Sequence, residues 1–292
     1  MKRFLPVLTA CAVLLFFSVS CGQTSSGLYP RNGRRVVRIV SYNVGVFDKW
    51  DGSGIGMTAS LMKELAPDVI ALQELDSCAS RTGNIYQLQA FAADMGQNWD
   101  CTYSPALKPF QGGAYGVGET WNTDRLKAVD MFNLQLPQGK GSETRALVVV
   151  EYEDMVVAGT HLDHRNDSSQ LAQAVLVTET LKNRYADTGK PVFLCGDFNA
   201  YPDSRTLEYC REHWDVLTLQ KTTFPEWDEV SRMQDKPKTV EDTPGICIDY
   251  IMILKNGAEY ELVATDVCVP FESGSVFDSS DHLPVYVDVR LR

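Results

Sequence analysis

Asn43, Glu74, His161, Asp197, Asn199, Asp249, Asp281 and His282 stand in or next to strand-like, largely apolar runs of this 292-residue chain. Carboxylates, carboxamides and imidazoles bind hard cations, move protons and donate to anionic oxygens. No Cys/His set has the spacing of a zinc site, and oxygen ligands suit Mg²⁺, Mn²⁺ or Ca²⁺. Glu74 is the strongest single ligand candidate, with Asn43 beside it. His282 with Asp249 or Asp281 has the makings of a general base and its orienting carboxylate. Asn199 and His161 are donors suited to a pentavalent transition state. These are the parts of a hydrolytic phosphate site. Asp197 and Asn199 alone would be explained by an Asx turn; the recurrence of the same chemistry at other strand ends argues against that reading.

Groups of this kind need a rigid frame that ends where they begin. Residues 191–194 form a short apolar strand, and the i, i+2 spacing of Asp197 and Asn199 turns both to one side of an extended chain. Residues 36–44, 69–74, 126–134, 145–152, 155–160, 246–254, 260–269 and 283–289 read as further strands from their β-branched or alternating patterns. Helices are expected over 57–65 and 85–95, over a segment opening at Asp167, and over 206–211, where Asp203 or Ser204 can cap. In the third of these, Gln170 is placed as a capping-box partner and Leu171, Ala174, Val175, Thr178 and Leu181 as the inner stripe. Residues 99–118 read as turn-rich with short strands, and 221–244, polar and holding three prolines, as a long surface loop. Strands outnumber helices, and hairpins mix with helical crossovers. The expected architecture is helices packed on mixed sheets.

The first twenty residues stand apart. Lys2 and Arg3 precede a nearly all-apolar run from Phe4 to Phe17, and Ser18-Val19-Ser20 supplies a small-x-small cleavage site, which together make a secretory leader. Cys21 follows at once and resembles the lipidated cysteine of bacterial lipoproteins, although Ser18 stands where that motif usually has Leu. Ordinary cleavage leaving an unmodified Cys21 is the alternative. The expected organisation is a leader over 1–20, a polar tether over 21–34 and one domain over 35–292, secreted and held at the cell envelope by lipid. Cys78, Cys101, Cys195, Cys210, Cys247 and Cys268 could then pair in an oxidising compartment. The chain carries −11, and losing the leader's two cations takes it to −13. An acidic surface repels polyphosphate, so non-specific gripping of long nucleic acid is disfavoured. Arg31, Arg34, Arg35 and Arg38 form one dense basic stretch, read as a solvated flank or a headgroup contact.

Six short stretches carry a resemblance: Ser41-Tyr42-Asn43-Val44, Leu72-Gln73-Glu74-Leu75-Asp76, Gly159-Thr160-His161-Leu162-Asp163-His164, Gly196-Asp197-Phe198-Asn199-Ala200, Ile248-Asp249-Tyr250-Ile251 and Ser280-Asp281-His282-Leu283-Pro284-Val285. In type and order they resemble the motifs of the endonuclease/exonuclease/phosphatase superfamily, the deoxyribonuclease I-like fold. The resemblance implies a four-layer α/β sandwich, two packed mixed β-sheets flanked by helices, and Mg²⁺-dependent hydrolysis of a phosphate ester. It implies Glu74 as metal ligand, Asn43 supporting metal or phosphate, and Asp281 as a second metal ligand. It makes Asp197 the group that orients or activates water, Asn199 a contact to the scissile phosphate, and Asp249 the partner of His282. His161 matches the branch with Thr-His at this point, which holds deoxyribonuclease I, sphingomyelinases and many phosphatases, rather than the abasic-endonuclease branch. Arg145 matches an arginine frequent before that strand and is read as binding phosphate or as a plain salt bridge. The Gly112–Gly118 region fits, but the usual Ser-Arg-x-Pro that follows is replaced by Asn122-Thr123-Asp124-Arg125-Leu126.

The expected activity is hydrolysis of a phosphomonoester or phosphodiester, on a small organic phosphate or phospholipid headgroup. A secreted nuclease is the alternative within enzymes, and a non-catalytic binding lipoprotein the alternative outside them. Glu74, Asp197 and His282, the residues a degenerate binder would lose, are all present.

Overall fold

The computed structural model describes residues 27–31, 33 and 35–292. The expected leader, Cys21 as the expected lipidation site and most of the expected tether lie outside the described residues. In chain order the elements are β1 (Val36–Asn43), α1 (Ile55–Leu65), β2 (Val69–Ser77), α2 (Gln87–Met95), β3 (Trp99–Phe110), β4 (Gly113–Asn122), β5 (Ala128–Leu136), β6 (Arg145–Tyr152) and β7 (Val156–His161). They continue with α3 (Asp167–Tyr185), β8 (Val192–Asp197), α4 (Arg205–His213), β9 (Trp214–Val216), β10 (Phe224–Pro225), α5 (Trp227–Arg232), β11 (Gly245–Ile246), β12 (Asp249–Leu254), β13 (Tyr260–Val267) and β14 (Val285–Leu291).

Two six-stranded sheets result, ordered β13-β14-β1-β2-β4-β3 and β5-β6-β7-β8-β12-β9. Each is antiparallel but for one parallel pair: β1 with β2, joined through α1, and β7 with β8, joined through α3. Strand alternation builds the layers. On β8, Phe193 and Cys195 join the core shared by the two sheets, while Val192 and Leu194 face the α3/α4 layer. On β12, Ile251 and Ile253 face the other sheet and Met252 and Leu254 face the helices. Small residues let the sheets approach: a Cβ on Gly159 of β7 would lie 3.3 Å from that of Ala71 on β2. The expected sandwich of two mixed sheets between helical layers is therefore observed.

Several local expectations are corrected. Residues 99–118 are not turn-rich; β3 and β4 form a long edge hairpin, whose prolines and glycines are absorbed by irregularities between Pro105 and Leu107 and between Leu107 and Phe110. The cap of α3 is Asn166, whose Oδ1 accepts from Ser169 N–H, and Gln170 instead donates to the carbonyls of Asp163 and Asn199. Its buried stripe runs through Gln173, Ala174, Val177, Thr178 and Leu181, so Leu171 and Val175 sit only at its margin. Segment 221–244 is packed rather than loose: it holds β10 and α5, buries Val230, and stacks Trp227 on Trp50 at 4.4 Å between ring centroids. The six described cysteines are all thiols, dispersed over both cores and the surface, where the buried ones act as small hydrophobes. No helix among the described residues is long and apolar enough to cross a membrane.

Arg38 departs most from its expected place. It is fully buried, binds Asp288 through Nε and Nη2 at 2.7 Å each, and donates to the carbonyls of Tyr29 and Leu65. The β1–β14 register sets it directly opposite Asp288, and burial takes it off the solvated flank. Asp288→Ala strands a buried guanidinium, and the expected loss is about 3–5 kcal/mol. Urea unfolding checks this; an unchanged midpoint would contradict it.

Candidate active site

Register alone assembles one wall of the site. In the parallel β7–β8 pair His161 lies opposite Asp197, and in the antiparallel β8–β12 pair Asp197 lies opposite Asp249. One imidazole and two carboxylates thus form a row across one end of the second sheet. Glycine is obligatory beside them: a Cβ on Gly196 would meet the Thr160 carbonyl at 2.2 Å. The first sheet supplies the facing wall. Asn43 ends β1, and Glu74 sits in β2 where the ladder to β4 shifts between Leu72 and Leu75. Glu74 adopts a left-handed backbone, φ 56°, which re-aims its side chain out of the pleat. Asp281 and His282 arrive on the loop before β14.

Asn43 ties the walls together. Its Oδ1 accepts from Gly45 N–H at 3.1 Å, which fixes the amide orientation and turns the nitrogen inward. That nitrogen lies 3.1 Å from Glu74 Oε1, 3.0 Å from Asp197 Oδ2 and 3.3 Å from His282 Nε2. His282 Nδ1 is 2.9 Å from Asp249 Oδ2, and its Nε2 is 3.6 Å from Asp197 Oδ2. The Phe224 ring packs 4.8 Å from the imidazole. Thr223 Oγ1 accepts from Ile248 and Asp249 N–H and so fixes the start of β12.

The electrostatics follow from burial and charge. Burial alone would lower the His282 pKa, but the Asp249 and Asp197 carboxylates outweigh it and raise it to about 10. Burial, helped by the Asp249 charge, pushes the Asp197 carboxyl up to about 7 against the pull of His282, Asn199 N–H and Asn43. His161 goes the other way: burial, with the Arg145, His282 and His164 charges, keeps its imidazole neutral.

The tautomer of His161 can be assigned. Arg145 Nη1 lies 3.3 Å from His161 Nδ1, and a guanidinium only donates, so Nδ1 accepts and the proton sits on Nε2. Asn199 Nδ2, oriented by the Leu162 carbonyl at 3.1 Å, stands 3.0 Å from that Nε2. Two N–H donors face each other with no lone pair between them, and Asp197 Oδ2 at 3.4 Å is the nearest carboxylate oxygen to Nε2. An anionic oxygen placed between them would accept from both. Arg145 is fully buried, also pairs with Glu143 at 3.0 Å and reaches His164 Nδ1 at 3.0 Å, so it stands behind His161 as well as on the cleft wall.

All eight residues proposed from strand ends converge here, and seven line or directly bridge the cleft of about 640 Å³. Asp249 lies beneath it, reached through His282. Asp197, Asp249 and His282 offer ligand atoms within 4.8 Å of one another, a spacing that could hold a metal ion. Within that group, however, Nδ1 and Asp249 Oδ2 already make a hydrogen bond. Sequence reasoning missed Lys49, which pairs with Asp281, and Glu143 and Phe224 on the cleft wall. Glu143 stands two before Arg145, and that alternation was a usable signal; Lys49 and Phe224 left none.

The comparisons agree with this geometry. The model of the Endonuclease/Exonuclease/phosphatase family matches residues 40–282. A functionally unknown conserved protein from Enterococcus faecalis V583 superposes with TM-score 0.68 at 17% identity, covering 88% of this chain and 100% of that one. An endonuclease/exonuclease/phosphatase from Bacteroides vulgatus gives 0.68 and 17%, over 89% and 100%. A mannosyl-6-phosphatase from Bacteroides thetaiotaomicron VPI-5482 gives 0.67 and 17%, over 87% and 99%. No curated protein matches in sequence.

Proposed function

Since the chain belongs to the Endonuclease/Exonuclease/phosphatase family, we propose that it hydrolyses phosphate esters of small organic alcohols with the help of a divalent cation. The observation that carries this is the cleft in which the donors His161 Nε2–H and Asn199 Nδ2, one amide proton of which is not taken by the Leu162 carbonyl, stand beside Glu74, Asp197 and His282. Phosphate oxygens suit such donors.

The donor set fits a hard cation. Glu74 borders both the main cleft and an adjoining one of about 320 Å³, and only its Oε1 is engaged, by Asn43. Glu74 is the carboxylate to hold Mg²⁺ or Mn²⁺, and Asn43, with its nitrogen inward, acts by orienting Glu74 and Asp197. When bound, the cation neutralises charge on the phosphate oxygens. Asp197, with a pKa near neutrality and an orientation set by Asn199 N–H at 2.9 Å, takes the proton of the attacking water. His161 and Asn199 hold the developing charge, with Arg145 adding a fixed positive charge behind them. His282, kept protonated by Asp249, donates to the departing side.

The cleft's size and the chain's acidic balance support a small substrate over a polynucleotide. The cleft volume suits a small molecule, and a net charge of −11 repels a flanking polyanion. The expected result is turnover of a chromogenic phosphomonoester or phosphodiester with Mg²⁺ that falls to background in EDTA, and the preferred ester divides phosphatase from diesterase. Full activity in EDTA would overturn the metal's part. The envelope location is part of the proposal and rests on the leader and Cys21. Labelled palmitate should enter the wild type and be absent from Cys21→Ser; equal labelling would refute the anchor.

A further inference from the structure

Lys49 lines the smaller of the two clefts that share Glu74. Its Nζ is ion-paired with Oδ2 of Asp281, which lines the larger, and its side chain is only 34% exposed. The Ser280 hydroxyl, 3.4 Å from the other carboxylate oxygen of Asp281, gives its one proton to the Asn43 carbonyl at 2.7 Å, so Lys49 is the strong partner of Asp281 among the described residues.

The backbone that delivers Lys49 is strained and fixed at both ends. Gly45, Val46 and Phe47 are consecutive left-handed residues, φ 51°, 54° and 53°, although Val and Phe disfavour that region. Gln87 donates to the Val46 carbonyl and holds the turn. A Cβ on Gly45 would lie 3.2 Å from the Lys49 stem, so the glycine makes room for it. Beyond Lys49, Trp50 stacks on Trp227 at 4.4 Å. A lysine that only screened surface charge would not need this support.

We propose that Lys49 takes the place of a second metal ion at Asp281, leaving Glu74 as the anionic anchor of a single divalent cation. This rests on the metal-dependent reading above. Like charges in one site repel strongly once partly desolvated, so an ammonium on Asp281 opposes a dication there while supplying part of its positive field. The fixed ammonium also holds the Asp281 loop, and with it His282, against the turn after β1.

The test is the number of Mn²⁺ ions bound per chain, counted by electron paramagnetic resonance on the purified protein up to millimolar Mn²⁺. Wild type and Lys49→Arg should bind one ion, and Lys49→Met two. The double variant Lys49→Met/Asp281→Asn should return to one. In turnover, Lys49→Met should replace a hyperbolic Mg²⁺ dependence by a sigmoidal one. Two ions on the wild type, or one on Lys49→Met with its circular dichroism unchanged, would overturn the assignment while leaving the hydrolase reading intact. No ion on the wild type would overturn the assignment together with the metal reading beneath it.

Discussion

Replacing His282 by alanine should lower kcat on the preferred phosphate ester by roughly 10³-fold, the size of a lost general acid, with the protein still folded. Such a loss corresponds to about 4 kcal/mol of transition-state stabilisation. The reason is geometric. His282 is buried, held at Nδ1 by Asp249 at 2.9 Å, and turns Nε2 toward Asp197 and Asn43 at the cleft. Its neighbours Leu283 and Val285 carry the packing of that segment into the core, so the imidazole is not what keeps the strand in place. His282→Gln, closer in volume, gives a second variant should alanine perturb the loop. Unchanged kcat in either folded variant would remove His282 from the chemistry.

The same arrangement sets the pH profile. Activity needs Asp197 ionised and His282 protonated, so kcat/KM should rise through about pH 7 and fall through about pH 10. Asp249 raises both pKa values, because its negative charge disfavours ionised Asp197 and favours the imidazolium. Asp249→Asn should therefore move both limbs of the bell to lower pH. An unmoved alkaline limb would show that His282 does not carry the proton that matters.

Glu74→Gln should raise the Mg²⁺ concentration for half-maximal activity at least about tenfold, because an anionic ligand becomes a neutral one. Gln keeps an oxygen for Asn43 Nδ2 and nearly the same volume, so the strained backbone of β2 is not asked to change. Direct Mn²⁺ binding should weaken in parallel, which separates loss of the ion from loss of orientation. An identical metal titration would assign the ion elsewhere, with the Asp197, Asp249 and His282 group as the next candidate.

Much of the site was legible before any fold was known, since its residues stand at or near the ends of strands, and strand ends are where a sheet presents side chains to a cleft. Asn43, Glu74, His161, Asp197, Asn199, Asp249, Asp281 and His282 announce themselves by type, and apolar alternation announces the strands that carry most of them. What pattern could not convey was direction and partnership. Arg38 reads as one of four basic residues on a flank, yet the β1–β14 register and a partner 250 residues away bury it. The β3–β4 hairpin was hidden because its prolines and glycines are tolerated at a sheet edge and at bulges, which depends on neighbours rather than on the segment itself. Lys49 shows no spacing signal, because its meaning depends on a strained turn at one end of the chain meeting Asp281 near the other. By itself the sequence determined the layered class of fold and the chemical types of the site. Only the tertiary structure decided that Asn43 turns its nitrogen inward, that Arg145 fixes the proton of His161, and that Asp281 already has its cation, because each of these is a contact between residues brought together from different strands and loops.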